Sequence, residues 1–170
     1  MRSNFAQLRN RVGALIAAAF MLPGQAPAHS LTTAVGTLNW TFGGAAQVIV
    51  PNTTTAFFAK PATPRLIITY AAECAVNAAA GNTSGWMDVD IVLLNIAGAV
   101  VYTAPPTVGS ADAYCAANGS AGFDGWESNA VVASVPFNFP AGVYRAQVRA
   151  RLNGGATGGW FGERQLVVSL

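Results

Sequence analysis

From Arg65 to Val76 the chain sets an apolar side chain at every second residue: Leu66, Ile68, Tyr70, Ala72, Cys74 and Val76. Side chains of an extended strand point alternately to opposite faces, so this run makes one apolar face and one mixed face. A helix would repeat every three to four residues instead. The same alternation returns at Met87, Val89, Ile91 and Leu93, and again at Tyr144, Ala146, Val148, Ala150 and Leu152. Three long one-sided strands need facing partners to cover their apolar sides, and that demand is met by sheet packed on sheet.

Further runs rich in Val, Ile, Tyr, Phe and Thr alternate with clusters of Gly, Pro, Asn and Ser. They predict strands near 46–50, 55–59, 65–76, 86–94, 98–103, 126–138, 142–152 and 160–169. No segment after residue 28 carries a helical period. The expected fold is all-β: a two-sheet antiparallel sandwich of jelly-roll or Greek-key type, with about eight strands and one disulfide. Residues 45–170 form the sandwich domain, and residues 29–44 form an N-terminal arm or edge strand.

The first 28 residues read differently. Arg2, Arg9 and Arg11 precede an apolar run from Val12 to Leu22, and Ala26-Pro27-Ala28 follows. Charged start, short apolar stretch and small-residue cleavage site make the pattern of a secretory signal peptide. A run of 11 residues is too short to span a bilayer, which takes roughly 20. The expectation is therefore export to the periplasm, the cell surface or the medium, with no membrane span after cleavage. Beyond residue 28 the chain has six basic and seven acidic residues, a formal charge of −1. That balance gives no basic patch and excludes nucleic acid as a partner.

Cys74 and Cys115 are the two cysteines. In an oxidising compartment such a pair forms a disulfide, here closing a loop of about 40 residues and stabilising by roughly 4 kcal/mol. No Cys-x-x-Cys motif and no neighbouring histidine points to redox or metal chemistry. The one histidine, His29, falls at the expected new N-terminus, so no triad has a general base. No phosphate-binding loop, dinucleotide fingerprint or zinc motif occurs. No cofactor and no metal are expected.

The mixed faces of the strands carry Arg65 and Glu73, then Asp88 and Asp90, then Arg145, Gln147, Arg149 and Arg151. Cross-strand ion pairs on an outer sheet account for them simply. The sharper alternative is a small hydrolase that uses Asp88 and Asp90 as an acid–base pair.

Glycine precedes tryptophan three times, at Gly85-Trp86, Gly125-Trp126 and Gly159-Trp160. If successive strands run antiparallel, the long loops 77–85, 104–125 and 153–159 all fall at one end, and the disulfide staples two of them together. Parity from Leu166 and Val168 places Trp160 inward, and it places Trp86 and Trp126 outward. Outward tryptophans beside Asn82, Asn118 and Asp124 make a candidate binding rim for a sugar ring or a protein surface. The plainer alternative is that the indoles cap the end of the sandwich.

Three stretches carry a resemblance: AAECAVNAAAGNTSGWMDVDI (71–91), CAANGSAGFDGW (115–126) and ARLNGGATGGW (150–160). Together they resemble uncharacterised exported bacterial β-sandwich domains. AGVYRAQVRARL (141–152) is similar to a strand of C1q/TNF-type jelly rolls, which implies a trimeric binding module. The expected function is a non-enzymatic exported binding or structural module at the cell surface or in the periplasm. Its partner would be a surface ligand, a carbohydrate or a protein. A carbohydrate-binding module using the loop-end tryptophans and a self-assembling homo-oligomer are the specific forms it could take.

Overall fold

A computed structural model describes residues 31–60, 65–104, 113–136 and 138–170. The predicted leader and His29 lie outside these residues. Ten strands form: β1 (Leu31–Gly36), β2 (Trp40–Gly43), β3 (Val48–Ala59), β4 (Arg65–Ala78), β5 (Trp86–Leu94), β6 (Val100–Ala104), β7 (Ala113–Ala116), β8 (Glu127–Pro136), β9 (Gly142–Asn153) and β10 (Ala156–Ser169). No helix of the described residues is long and apolar enough to cross a membrane.

The strands make two antiparallel sheets. In the front sheet β10 and β4 lie side by side, with β8 beyond β4 and both β1 and β2 along the other edge of β10. In the back sheet the order is β3-β9-β5, with β6 and β7 sharing the outer edge of β5. Thus β1 and β2 are two pieces of one edge strand, and so are β6 and β7. Eight strand positions remain, paired first with eighth, second with seventh, third with sixth and fourth with fifth. That is a long hairpin rolled up on itself, the jelly roll.

The alternation read from the sequence builds the core. Leu66, Ile68, Tyr70, Cys74, Met87, Leu93, Ala146 and Val148 are all fully buried between the sheets. One inward aromatic stack joins the edge to the centre: Trp40 lies on Phe42 at 4.9 Å and on Phe161 at 6.2 Å, and Phe161 meets Tyr70 edge-on. Such contacts add stability beyond area burial alone.

Several expectations are corrected. Segments 46–50 and 55–59 form one strand, β3, whose register slips between Ile49 and Thr54. Asn52 bends it with a φ of 56°, a conformation Asn tolerates better than most residues, and the Thr53 hydroxyl donates to the Val50 carbonyl at 2.7 Å. The arm at 29–44 holds the edge strands β1 and β2. Segment 153–159 is not a long loop, because Gly154 and Gly155 alone turn the corner in left-handed conformation, with φ of 62° and 81°. Cys115 lies in β7, a four-residue strand too short to stand out by pattern. The Cys74–Cys115 bridge therefore ties front sheet to back sheet rather than loop to loop.

Three strand irregularities meet around one side chain. The break between β1 and β2, the slip in β3 and a register shift between Phe161 and Arg164 in β10 all converge on Arg164. Its guanidinium points inward and donates to the carbonyls of Pro51 at 2.9 Å, Leu38 at 2.7 Å and Gly162 at 2.8 Å. Burial lowers its pKa from the ordinary arginine value. The three carbonyls that the ladders leave over are the ones it satisfies.

Candidate functional site

The register shift in β10 decides what the front sheet shows to solvent. Counting by twos from Leu166 puts Trp160 inside. The extra residue at Gly162–Glu163 reverses the parity above it, so Phe161 is fully buried and Trp160 turns outward. Trp160 pairs in register with Ala75 of β4. On the far side of Ala75, Trp126 leads into β8 and is 70% exposed. The two indoles lean together with ring centroids 5.2 Å apart and planes 33° from parallel. Ala75 faces outward beneath them yet has no exposed surface.

Below the pair lies an open groove of about 560 Å³ on the same outer face. Its floor is made of small side chains, Ala71 on β4 with Ser128 and Ala130 on β8. Glu73, Glu163 and Gln165 supply polar groups, and Thr37, Asn129 and Arg164 also line it. Glycine at 162 lets the groove and the indoles meet. A Cβ there would fall 2.5 Å from Glu73 Oε2 and 2.7 Å from Trp160 Cη2, so carboxylate and indole edge converge over that residue. The Arg151–Asp88 ion pair lies on the other sheet, and among the described residues no hydrogen bond or ion pair holds Glu73 or Glu163. Glu73 thus does not form the cross-strand pair expected of it.

The other expected residues fall elsewhere. Trp86 sits on the outer face of the back sheet, half-buried, and its indole N–H donates to Asp88 Oδ1 at 2.8 Å. It does not cluster with Trp126, because β5 and β8 belong to different sheets. Asp88 also accepts from Arg151 at 2.9 Å and from Asn153. Asp90 accepts from Gln47 and faces Arg149 in register. Asp88 is held by three donors and Asp90 by another, on an open sheet, so no cleft joins them as an acid–base pair. Among the described residues no group of three or more His, Cys, Asp or Glu could hold a metal.

The rim residues knit the loops together. Asn82 accepts from the Ser84 N–H at 2.8 Å and donates to the Gly154 carbonyl at 3.2 Å. Asn118 accepts from the Ser120 N–H at 2.9 Å. Gly81 N–H donates to the Gly119 carbonyl and Ala117 N–H to the Gly85 carbonyl, each at 2.8 Å. Asp124 is exposed beside Gly122. Asn82 and Asn118 therefore shape turns. Trp160 is a site residue that parity counting placed on the wrong face; Glu163 and Gln165 have the outward parity, but no motif singles them out. The usable signal was a glycine inside a strand pattern, at Gly162, where a bulge is common.

No protein-family model matches the chain, and no curated protein matches it. Solved structures do. The infectious bursal disease virus VP2 subviral particle aligns with 88% of this chain at 14% identity and a TM-score of 0.55. The Gt strain of that virus aligns with 85% at 14% identity and 0.55, and its T13 particle with 88% at 14% and 0.54. The alignment spans about a third of those longer chains. At this identity the likeness speaks for the fold.

Proposed function

We propose that the chain is an exported, non-enzymatic binding module whose working surface is the outer face of the front sheet. The ligand best suited to that surface is a glycan. One observation carries the reading: Trp126 stands 70% exposed, tilted against Trp160, at the head of a groove in which Glu73, Glu163 and Gln165 hold no hydrogen bond or ion pair among the described residues. An exposed indole costs solvation unless something covers it, and the apolar face of a pyranose ring covers it well. Glu73, Glu163 and Gln165 then offer acceptors and a donor to ring substituents. Export follows from the arginines, apolar run and Ala26-Pro27-Ala28 of the N-terminus.

The test is a panel of soluble polysaccharides followed by tryptophan fluorescence, with Trp126→Ala beside the parent. Saturable quenching or a blue shift that Trp126→Ala removes supports the reading. A panel with no response overturns it.

A second reading is a self-assembling structural module. It is favoured by Val35, which lines the groove, and by Leu31, Ile67 and Val132, which are exposed on the same outer face below it. The aligned viral proteins form particles, by their descriptions. Light scattering on a sizing column separates the two: a monomer at high concentration excludes assembly and leaves the glycan reading in place.

A further inference from the structure

We propose that the groove selects a protonated amine, presented by an amino sugar within a polysaccharide. The inference rests on the glycan reading above and narrows it to a charge class.

The charge layout of the face is the starting point. Glu73 and Glu163 lie side by side, Glu73 on β4 opposite the bulge of β10 that carries Glu163. The nearest arginine in sequence, Arg164, is turned into the core and held there by three backbone carbonyls. The arginines of β9 are on the opposite sheet, where one is paired with Asp88. Arg65 lies at the far end of the face, donating to Ser134 at 2.8 Å. Arg164 also lines the groove, but its guanidinium is spent on its three backbone carbonyls, so among the described residues no ion pair neutralises the two carboxylates. Like charges repel at such range, and a ligand ammonium removes that repulsion.

The aromatic pair points the same way. Indole faces attract cations through the ring quadrupole, and a carboxylate at the ring edge strengthens the preference for a positive ligand. Glu73 Oε2 and Trp160 Cη2 converge over Gly162, which sets the carboxylate at the indole's edge, beside the ring face an ammonium would occupy. A neutral sugar can donate hydroxyl hydrogen bonds to the two carboxylates but brings no charge to offset theirs. A lysine side chain brings the charge but no ring for Trp126, and its four-carbon stem loses rotamer freedom on binding. A pyranose with an amine on the ring offers both the apolar face and the charge at a fixed spacing.

The experiment compares glucosamine oligomers with N-acetylglucosamine oligomers of equal length, neutral cello-oligomers and lysine oligomers, read by calorimetry on the parent protein. The expected result is glucosamine binding at least about tenfold tighter than either other sugar. That preference should shrink as salt is added. Glu73→Gln should remove about tenfold of it while Trp126→Ala abolishes binding by every sugar. The melting temperature of Glu73→Gln should stay at the parent value, since Glu73 holds no partner. Equal binding of acetylated and free-amine oligomers overturns the amine proposal and leaves the glycan reading standing. Lysine oligomers binding as tightly as glucosamine overturn the amino-sugar assignment. Silence from all sugars overturns both.

Discussion

Arg164 of the front sheet donates through Nε to the Pro51 carbonyl of the back sheet, 2.9 Å away. The same guanidinium reaches Leu38 and Gly162, so one side chain bonds at three strand irregularities. Replacing it leaves one buried and two part-buried carbonyls without donors, and a buried one costs roughly 1–3 kcal/mol before relaxation. Arg164→Met should lose about 3 kcal/mol in urea unfolding and about 10 °C in melting temperature. Arg164→Lys should recover less than half, because an ammonium cannot reproduce the planar fork. A melting temperature unchanged in Arg164→Met would remove Arg164 as the organiser of these breaks.

The disulfide makes a different prediction. Cys74 and Cys115 join β4 to β7, and β7 pairs with only three residues of β5. Asn129 sits against the bridge, donating to the Tyr114 carbonyl at 2.6 Å and to Glu127 at 2.8 Å. Reduction, or the paired change Cys74→Ala with Cys115→Ala, should cost about 4 kcal/mol from loop entropy. Hydrogen exchange should show β7 and the 117–126 loop opening first, ahead of β4 and β10. Uniform loss of protection across both sheets would contradict that order.

Two glycines should respond to alanine to very different degrees. Gly154 has φ of 62°, and a Cβ there would run into the Ser84 carbonyl and the Trp86 ring. Backbone cannot retreat, so Gly154→Ala should lose about 3 kcal/mol and shift Trp86 fluorescence. At Gly162 the obstructing atoms are the ends of the Glu73 and Trp160 side chains, which can swing away. Gly162→Ala should therefore lose under about 1 kcal/mol yet weaken ligand binding, because it separates carboxylate from indole. Thermal melts and fluorescence titration of the two variants check both outcomes.

How legible these features were depended on whether strands kept their period. In β4 and β9 the alternation runs unbroken, so Tyr70, Cys74 and Val148 could be placed inside from the sequence. In β10 the bulge at Gly162–Glu163 shifts every residue above it by one position. Trp160 then exchanges faces with Phe161, and the site went with it. Trp86 and Trp126 share a Gly-Trp spelling and an outward parity, yet pattern alone does not say that their strands belong to opposite sheets. Asn82 and Asn118 sit in turns, where an Asn is as often a local hydrogen-bonding device as a ligand group. The pairing of β1 and β2 along one edge was hidden because each is too short to show a period.

Alkaline stability follows from two core tyrosines. Tyr70 and Tyr114 pack ring to ring at 5.5 Å. Burial raises the pKa of both well above the ordinary value of 10.0, and the neighbouring Tyr114 raises that of Tyr70 further. The folded protein thus keeps protons that the unfolded chain releases above about pH 10, so the unfolded state binds fewer protons there and stability falls as pH rises. Below pH 10 the contribution is present in full. From about pH 8 to about pH 11 each tyrosine should cost about 1 kcal/mol. Phenolate absorbance from these two residues should appear only together with loss of the β signal in circular dichroism. Tyr70→Phe should flatten the fall. At neutral pH it should be neutral or slightly stabilising, because the Tyr70 hydroxyl is buried without a hydrogen-bond partner among the described residues. Tyr114→Phe should flatten the fall too but lose about 1 kcal/mol at neutral pH, since its hydroxyl donates to the Asn129 carbonyl. A pH dependence identical in parent and Tyr70→Phe would show that the buried phenol does not govern alkaline unfolding.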